Sequence, residues 1–351
     1  MSLSNVQAFV DVQFRKPGIK GELMKKSIAL LLVACLITSV ADSGEKRKVN
    51  ANIASVYAAE GNIHEGMVKF KELIEKKTDG RFKVTVHPAG ALGGERDMLE
   101  GLVTGTIEMG ATGGMDVTLY APEYVITEEL FVFKNQKQVD NFWSGQLGQT
   151  LLKKLEDEKG LITVGNIPRG ARWMTSNKPI HKVEDMKGLK IRLPDNLNRT
   201  TYFKTLGAIP SIVAFPELYM ALKTGVVDAQ ENPPETIYNY RYYETQKYLI
   251  PSRHVFTQNR YLVSKRWLNR LDAEDQQLVL DTWKEAAQFA YDMTPDPDAY
   301  YVDKLVNEKG MTLIEDFDRP AFEKVAQELY PEFSKTWVPG LLEKVLALPT
   351  E

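Results

Sequence analysis

The sequence predicts a two-lobed α/β fold, in which each lobe is a mostly parallel sheet flanked by helices, with a hinge and C-terminal helices. Strand and helix patterns alternate with short connections from Lys48 onward. A Leu-x-Thr-Gly-x-(Ile/Val)-acid pattern occurs twice, in Leu102–Gly110 and Leu222–Gln230. No low-complexity linker separates the two copies, which indicates several crossovers between the lobes. Ligands of such pairs bind between the lobes, near the carboxyl ends of the strands.

Hydrophobic periodicity predicts the first five elements. One face of the segment 62–80 is apolar at helical spacing, and Gly80 ends that helix. The apolar face comprises Met67, Phe70, Leu73 and Ile74. Gly105 and Gly225 are expected in the left-handed conformation that ends a helix. The predicted order is a strand at 48–56, the helix at 62–80, a strand at 81–88, a helix at 95–105 and a strand at 106–112.

The later elements follow from the same kind of pattern. "LITVGNI" predicts a strand followed by a glycine-containing turn that carries Arg169 and Arg172. "KIRLP" predicts a strand that places Arg192 opposite its apolar face and ends at a proline. "VVDAQENPP" predicts a strand that ends at Asn232. Pro88 and Pro210 are expected to end strands, and the chain from about residue 272 is expected to be helical, with a break at "TPDPDAY".

Composition limits the class of function. The chain has 351 residues, of which 43% are hydrophobic and 26% charged, and its net charge is −3. These are ordinary values for a soluble globular protein of one large or two smaller domains. The slightly acidic balance argues against nucleic acid or an anionic membrane surface as a partner.

The N-terminal region predicts export. Two lysines follow Met24, and an apolar run then extends to Ala41, so 24–41 is interpreted as a signal peptide and 1–23 as a mis-assigned extension. The only cysteine, Cys35, lies in this run. Cleavage after Ala41 would leave no thiol for catalysis, disulfides or metal binding. "LVAC" also resembles a lipobox, so a lipidated Cys35 is the alternative.

Patterns typical of catalysis are absent. The chain contains no Gly-x-Ser-x-Gly, no Walker loop and no His-x-x-x-His spacing. Glu231 and Glu235 are interpreted as exposed helix charges rather than as an acid–base pair. The four histidines are far apart in the sequence: His64, His87, His181 and His254. We therefore predict no enzymatic activity, no cofactor and no metal.

Cationic and amide side chains at strand ends remain as candidates for a ligand-binding site. Arg172 and Arg192 each provide a planar guanidinium that can donate two parallel hydrogen bonds to a carboxylate. Asn232 adds a donor and an acceptor. Together these residues describe an anion-binding cleft. The alternative is that they are scattered surface charges, with Arg192 facing water.

Several segments resemble the solute-binding proteins of TRAP transporters, the DctP type. The most specific are "KGLKIRLP" and "GVVDAQENP", supported by "GARWMTSNKPI" and "GGERDMLEGLVTGTIEM". The resemblance extends from about Lys48 to the C-terminal helices. It implies a periplasmic-binding-protein-like fold that closes on its ligand. On this basis lobe I is expected at 45–169 with 258–297, and lobe II at 170–257 with 298–351.

The resemblance also implies the site. Arg192 falls on the family's carboxylate-binding arginine, and Arg172 on the supporting arginine. Asn232 falls on the family's asparagine, and Phe215 on an aromatic wall. Trp173 is expected either to narrow the pocket or to pack in the core.

Residues of the first lobe complete the expected ligand site. Glu60, His64 and Glu95 are expected on loops that face the cleft. Sialic-acid members of the family carry acidic residues where this chain has Gly94 and Gly113, which disfavours sialic acid as ligand.

The function implied is transport. A small organic acid, such as a C4-dicarboxylate, a 2-oxo acid or a sugar acid, would be captured in the periplasm by a monomer. It would then pass to a sodium-driven permease with a small and a large membrane subunit. A periplasmic sensor component is the alternative, and an enzyme that uses Glu60 or His64 is a weaker one. A receptor for an ABC transporter would share the two lobes but not these motifs.

Overall fold

The computed structural model describes residues 46–293 and 296–351, and Lys48–Glu351 form one compact unit. This unit contains two mixed sheets flanked by helices, which confirms the predicted two-lobed α/β fold. The extension at 1–23, the signal peptide at 24–41 and Cys35 lie outside the described residues. Within the described part of the chain, no helix has the length and apolar character needed to span a membrane.

The strands form a five-stranded first sheet, in the order β2-β1-β3-β10-β4, and a six-stranded second sheet, in the order β11-β9-β5-β8-β6-β7. In chain order they are β1 Val49–Ser55, β2 Phe82–His87, β3 Met109–Thr112, β4 Leu161–Ala171, β5 Trp173–Ser176, β6 Lys190–Leu193, β7 Ile209–Ile212, β8 Ala229–Asn232, β9 Tyr248–Ile250, β10 Phe256–Ser264 and β11 Thr312–Leu313.

The helices cover both sheets. In chain order they are α1 Asn62–Lys77, α2 Glu95–Thr104, α3 Met115–Tyr120, α4 Gln136–Ser144, α5 Gln146–Lys159, α6 Leu197–Thr205, α7 Leu218–Lys223, α8 Pro234–Asn239, α9 Lys265–Leu268, α10 Ala273–Asp292, α11 Pro297–Asp303, α12 Arg319–Phe333 and α13 Leu341–Leu346.

Each sheet is mixed, whereas mostly parallel sheets were expected. In the first sheet β1 pairs in parallel with β2 and β3, while β10 runs antiparallel to β3 and β4. In the second sheet β6 is parallel to β7 and β8, and β5 is antiparallel to β8 and β9. The antiparallel strands arise because β4 continues into β5 and β9 into β10, so that two neighbouring connections pass between the sheets in opposite directions.

Those two connections are hydrogen-bonded to each other. Arg172, the residue between β4 and β5, donates its backbone N–H to Val255 O at 2.8 Å and accepts from His254 N at 3.3 Å. The expected turn at residues 169–171 is instead part of β4. Gly170 there has a φ of 78°, a conformation that glycine adopts easily, beside a register shift in the pairing with β10.

The repeated pattern forms two equivalent joints. Gly105 and Gly225 have φ values of 74° and 72°, which confirms the predicted left-handed ends of α2 and α7. Pro210 lies inside β7 and does not end it, contrary to expectation. β7 is an edge strand, where a missing backbone N–H removes no interior ladder bond. The proposed lobe boundaries remain a prediction.

The first sheet is covered by α1 and α10 through the apolar faces that periodicity predicted. Phe70 of α1 stacks on Trp283 of α10, with ring centroids 4.2 Å apart and an interplanar angle of 12°. The Trp283 Nε1–H points at the sulfur of Met109 at 2.9 Å. Both rings have no solvent exposure. This stack therefore joins α1, the first helix of the described residues, to the late helix α10.

We expect Trp283→Ala to lower the free energy of unfolding by about 3–5 kcal/mol, because it leaves a large cavity between two helices and the sheet. Urea denaturation followed by circular dichroism measures the change. Phe289→Ala, on the exposed side of the same helix, is the control, with an expected loss below about 1 kcal/mol. Equal losses in the two variants would contradict this assignment of the core.

Candidate ligand-binding site

A cavity of about 300 Å³ lies at the carboxyl ends of parallel strands from both sheets. This is the edge at which α/β proteins bind ligands. Residues that follow or end β1, β3, β6, β7 and β8 contribute to it. Its lining includes Val56, Tyr57, Gly94, Glu95, Arg96, Asp97, Gly113, Glu128, Arg169, Arg172, Arg192, Asp195, Asn196, Arg199, Val213, Phe215 and Asn232.

Arg192 lies on β6 with its side chain turned into this cavity, so the surface-charge alternative does not hold for it. The residue is only 3% exposed. Its Nε and Nη2 donate to the Val213 carbonyl oxygen at 2.9 and 2.8 Å, and the guanidinium lies 5.7 Å from the centroid of the Phe215 ring. Two of its five N–H groups are thereby used, and three remain for a ligand.

The charge of Arg192 is not neutralised within the described part of the protein. No carboxylate of the described residues lies within 4.0 Å of it. Burial lowers its pKa to about 10. The side chain therefore remains protonated at neutral pH while it lacks a counter-ion, and a buried cation of this kind is costly until an anion approaches.

Arg172 differs from Arg192 because it already has an acidic partner. Its Nε and Nη2 donate to the carboxylate of Glu231, the second contact at 2.9 Å, and Nη2 also donates to the Asn232 Oδ1 at 3.0 Å. Burial opposes its charge, but attraction to Glu231 outweighs burial and raises its pKa. Arg172 lines the cavity as half of a buried ion pair.

Glu231 is the centre of a buried charge network. Its carboxylate also lies 3.3 Å from Arg199 Nη1 and 3.0 Å from His254 Nε2. Burial alone would raise its pKa, but Arg172 and Arg199 hold that pKa well below the ordinary value. Glu231 and Glu235 are 0% and 8% exposed, so their interpretation as exposed helix charges was wrong.

Asn232 and Phe215 lie where the sequence places them, at the cavity. Asn232 ends β8 and is buried, and its Nδ2 donates to Gln230 Oε1 at 2.6 Å. Its amide is thus engaged by neighbouring residues and orients Arg172. Phe215 packs edge-on against Tyr57, with centroids 6.1 Å apart, so aromatic residues near both sheets meet at the cavity.

Glu95 provides an acceptor from the first sheet's side. It is the first residue of α2, rather than a loop residue as expected, and it lines the cavity. Its Oε1 accepts from the Thr112 hydroxyl and from Gly113 N, both at 2.6 Å. These hydrogen bonds hold the Glu95 carboxylate at the carboxyl end of β3.

Three other predicted residues lie outside this cavity. Trp173 is buried in the apolar core, which matches the alternative in which it packs rather than narrows the pocket. Glu60 is exposed and borders a separate small cavity. His64 is half-buried on α1, not on a loop, and lines neither cavity. None of these three positions brings a side chain to Arg192.

Sequence reasoning missed several cavity residues. Tyr57, Glu128 and Arg199 belong to the lining but carry no local signal, because they follow β1, precede α4 and begin α6, far apart in the chain. Arg199 follows the helix cap formed by Asn196, whose Oδ1 accepts from Arg199 N at 2.9 Å. That Asn-x-x-Arg spacing after "RLPD" was the available signal. Among the described residues, no group of three metal-ligating side chains could hold a metal ion.

Comparison with known proteins adds an independent finding. The profile of the DctP family, described as bacterial extracellular solute-binding protein, family 7, matches residues 53–336. A solute-binding protein of Verminephrobacter eiseniae is 31% identical over 287 residues, which cover 81% of this chain and 85% of that protein.

Two further similarities name ligands of the other proteins. The C4-dicarboxylate-binding periplasmic protein DctP of Rhodobacter capsulatus is 30% identical over 267 residues, which cover 75% of this chain and 76% of that protein. A crystal structure of a TRAP periplasmic solute binding protein from Polaromonas sp. JS666, bound to D-erythronate, has a TM-score of 0.80 at 30% identity. It covers 86% of this chain and 100% of that one.

We expect Glu231→Gln to destabilise the protein by about 3–5 kcal/mol, because Arg172 and Arg199 lose the buried carboxylate that they share. Urea denaturation at pH 7 measures the loss. Glu217→Gln removes a charge from an exposed position and is the matched control. A loss as small as that of the control would show that the network contributes nothing to stability.

Stability should fall as pH rises from about 5.5 to 8. Burial raises the pKa values of Glu128, Glu129 and Glu235 to about 7, so the folded state holds protons that the unfolded state releases near pH 4.5. Their favourable contribution is complete below pH 4.5 and is lost as pH rises through 7. His254, whose pKa burial lowers, acts in the opposite direction below pH 6.5, but as one group against three. Denaturation midpoints measured across this pH range give the slope of stability against pH. Glu128→Gln should make this slope shallower. A stability that rises with pH would contradict the raised pKa values of these glutamates.

Proposed function

The chain belongs to the DctP family of extracellular solute-binding proteins, and we propose that it captures a small organic acid in the periplasm and delivers it to a sodium-coupled TRAP permease. The observation that carries the proposal is the buried, unpaired charge of Arg192. Its side chain is a buried guanidinium in a cavity at the carboxyl edge of both sheets, without a carboxylate partner among the described residues. A ligand carboxylate would supply the missing charge.

The ligand contact follows from the geometry of Arg192. Val213 O holds one edge of the guanidinium, and Phe215 lies beside it. The three remaining N–H groups can donate to both oxygens of one carboxylate. Arg172 contributes positive potential from its paired position, and Glu95 offers an acceptor to a hydroxyl of the ligand from the opposite wall.

Enclosure of the ligand gives the charge pair its strength. Tyr57 meets Phe215 across the cavity, the Tyr240 hydroxyl donates to Val56 O, and Arg96 lies 2.7 Å from Asp195 at the mouth. These contacts join segments that follow strands of different sheets. When these contacts form around a ligand, water is excluded from the cavity. The interaction free energy of an ion pair is larger in a dry site than in an exposed one.

The required affinity supports a charged, enclosed site. A micromolar dissociation constant corresponds to about −8 kcal/mol. The cavity of about 300 Å³ accepts only a small acid. Each of the few heavy atoms of such an acid must then contribute to the binding free energy near the upper limit of about 1.5 kcal/mol per atom. C4-dicarboxylates, for which one similar protein is named, and D-erythronate, which is bound in another, both carry a carboxylate, as does the proposed ligand.

The proposal contains no catalytic step. Glu60 and His64, the candidate bases for the rival enzyme, do not line the cavity. Capture and release therefore describe the site without turnover. A monomeric state and the two-subunit permease remain parts of the proposal.

We expect Arg192→Ala to weaken binding by at least about 100-fold, equivalent to about 3 kcal/mol, because a buried ligand carboxylate loses its counter-ion. Isothermal calorimetry against a panel of organic acids measures the change. Lys190→Ala, an exposed cation on the same strand, is the control and should leave affinity unchanged. Unchanged affinity in Arg192→Ala would refute the proposed anchor.

A further inference from the structure

A second arginine in the cavity lacks an anionic partner. Arg169 lies on β4 of the first sheet, is 4% exposed and lines the same cavity as Arg192. Its Nη2 donates to the Thr236 hydroxyl at 3.2 Å, and no other hydrogen bond of its guanidinium reaches a described residue. Its charge therefore has one neutral hydrogen-bond partner and several donors to spare.

The surrounding groups compensate Arg169 only in part. The guanidinium lies 5.1 Å from the centroid of the Tyr57 ring, a cation–π contact. The carboxyl group of Glu235 is close enough for Arg169 to lower its pKa, but it forms no ion pair within 4.0 Å, and burial raises that pKa to about 7. Glu235 is therefore not a close ionic partner of Arg169.

The acids nearer the cavity have partners of their own. Glu95 accepts from Thr112 and Gly113, and Asp97 accepts from Gly94 N at 2.8 Å. Glu128 lies 3.7 Å from Arg199. Each of these three carboxylates is thus held by another group. Arg169 and Arg192 are the two buried cavity arginines that form no ion pair with a described residue.

We propose that Arg169 forms a second anion subsite and that the ligand is an acid with two carboxylates, one for each unpaired arginine. This inference rests on the proposed function and deepens it, because it selects dicarboxylates over monocarboxylates. Arg192 approaches from the second sheet and Arg169 from the first. A diacid would therefore be bound from both sides of the cavity, and each of its ends would neutralise a buried charge.

Gly113 preserves the space that this subsite needs. A side chain at position 113 would collide with the Tyr57 hydroxyl, and its Cβ would lie 3.0 Å from Arg169 Nη1. The absence of a side chain allows Tyr57 and Arg169 to occupy that volume. Gly113→Ala should therefore disturb the Arg169 subsite without removing a charge.

Calorimetry with matched acids tests the proposal. The probes are succinate against butyrate, glutarate against pentanoate and galactarate against galactonate, titrated into the mature chain. We expect the best diacid to bind at least tenfold more tightly than its matched monoacid. Arg169→Met should reduce that preference below threefold by weakening the diacid, and Arg169→Lys should retain part of it. Gly113→Ala should weaken the diacid at least threefold.

The controls separate this inference from the proposed function. Arg266→Met removes an exposed arginine and should leave the preference intact, and circular dichroism verifies the fold of each variant. Arg192→Ala should weaken both classes of acid; retained affinity there would refute the carboxylate anchor alone. Equal binding of matched acids to the wild-type chain, or a preference unaltered in Arg169→Met, would overturn the second subsite. Failure of every acid to bind would contradict both proposals.

Discussion

The buried carboxylate of Glu231 is the interaction on which the arrangement of the site depends. It has no solvent exposure and is bound by Arg172, Arg199 and His254. An isolated charge at that depth would be strongly unfavourable, so these partners must stay in place for β8 to pack. Glu231 is engaged by these three partners, and no carboxylate among the described residues pairs with Arg192 on the neighbouring strand β6. The unpaired charge of Arg192 in the cavity follows from this distribution of partners.

The same network lies where the chain passes between the sheets. Arg172 is the single residue between β4 and β5, and His254 lies in the return connection from β9 to β10. Their backbones are hydrogen-bonded to each other, and their side chains both contact Glu231. A change in the angle between the sheets would act on the residues that border the cavity. The elements that connect the sheets and those that hold charge are therefore largely the same.

Local pattern predicted the elements better than the contacts between them. Alternation and the following proline placed Arg192 on a strand, and that strand is present. The burial of Glu231 could not be read locally, because its partners Arg199 and His254 are distant in sequence. Arg169 was assigned to a turn because of Gly170, whereas long-range pairing with β10 extends the strand through both residues. Position near a loop likewise did not bring Glu60 or His64 to the cavity.

The two walls of the cavity come from different sheets, and this separation has an evolutionary consequence. Val213, Phe215 and Arg192 belong to one sheet and its connections, while Tyr57, Glu95 and Arg169 belong to the other. Mutations on the second group can change the shape and charge of one wall while Val213, Phe215 and Arg192, the proposed carboxylate anchor, stay unchanged. If Arg192 binds a carboxylate as proposed, descendants of this scaffold can change ligand specificity by substitutions in the wall that carries Tyr57, Glu95 and Arg169, while the ligand remains an acid.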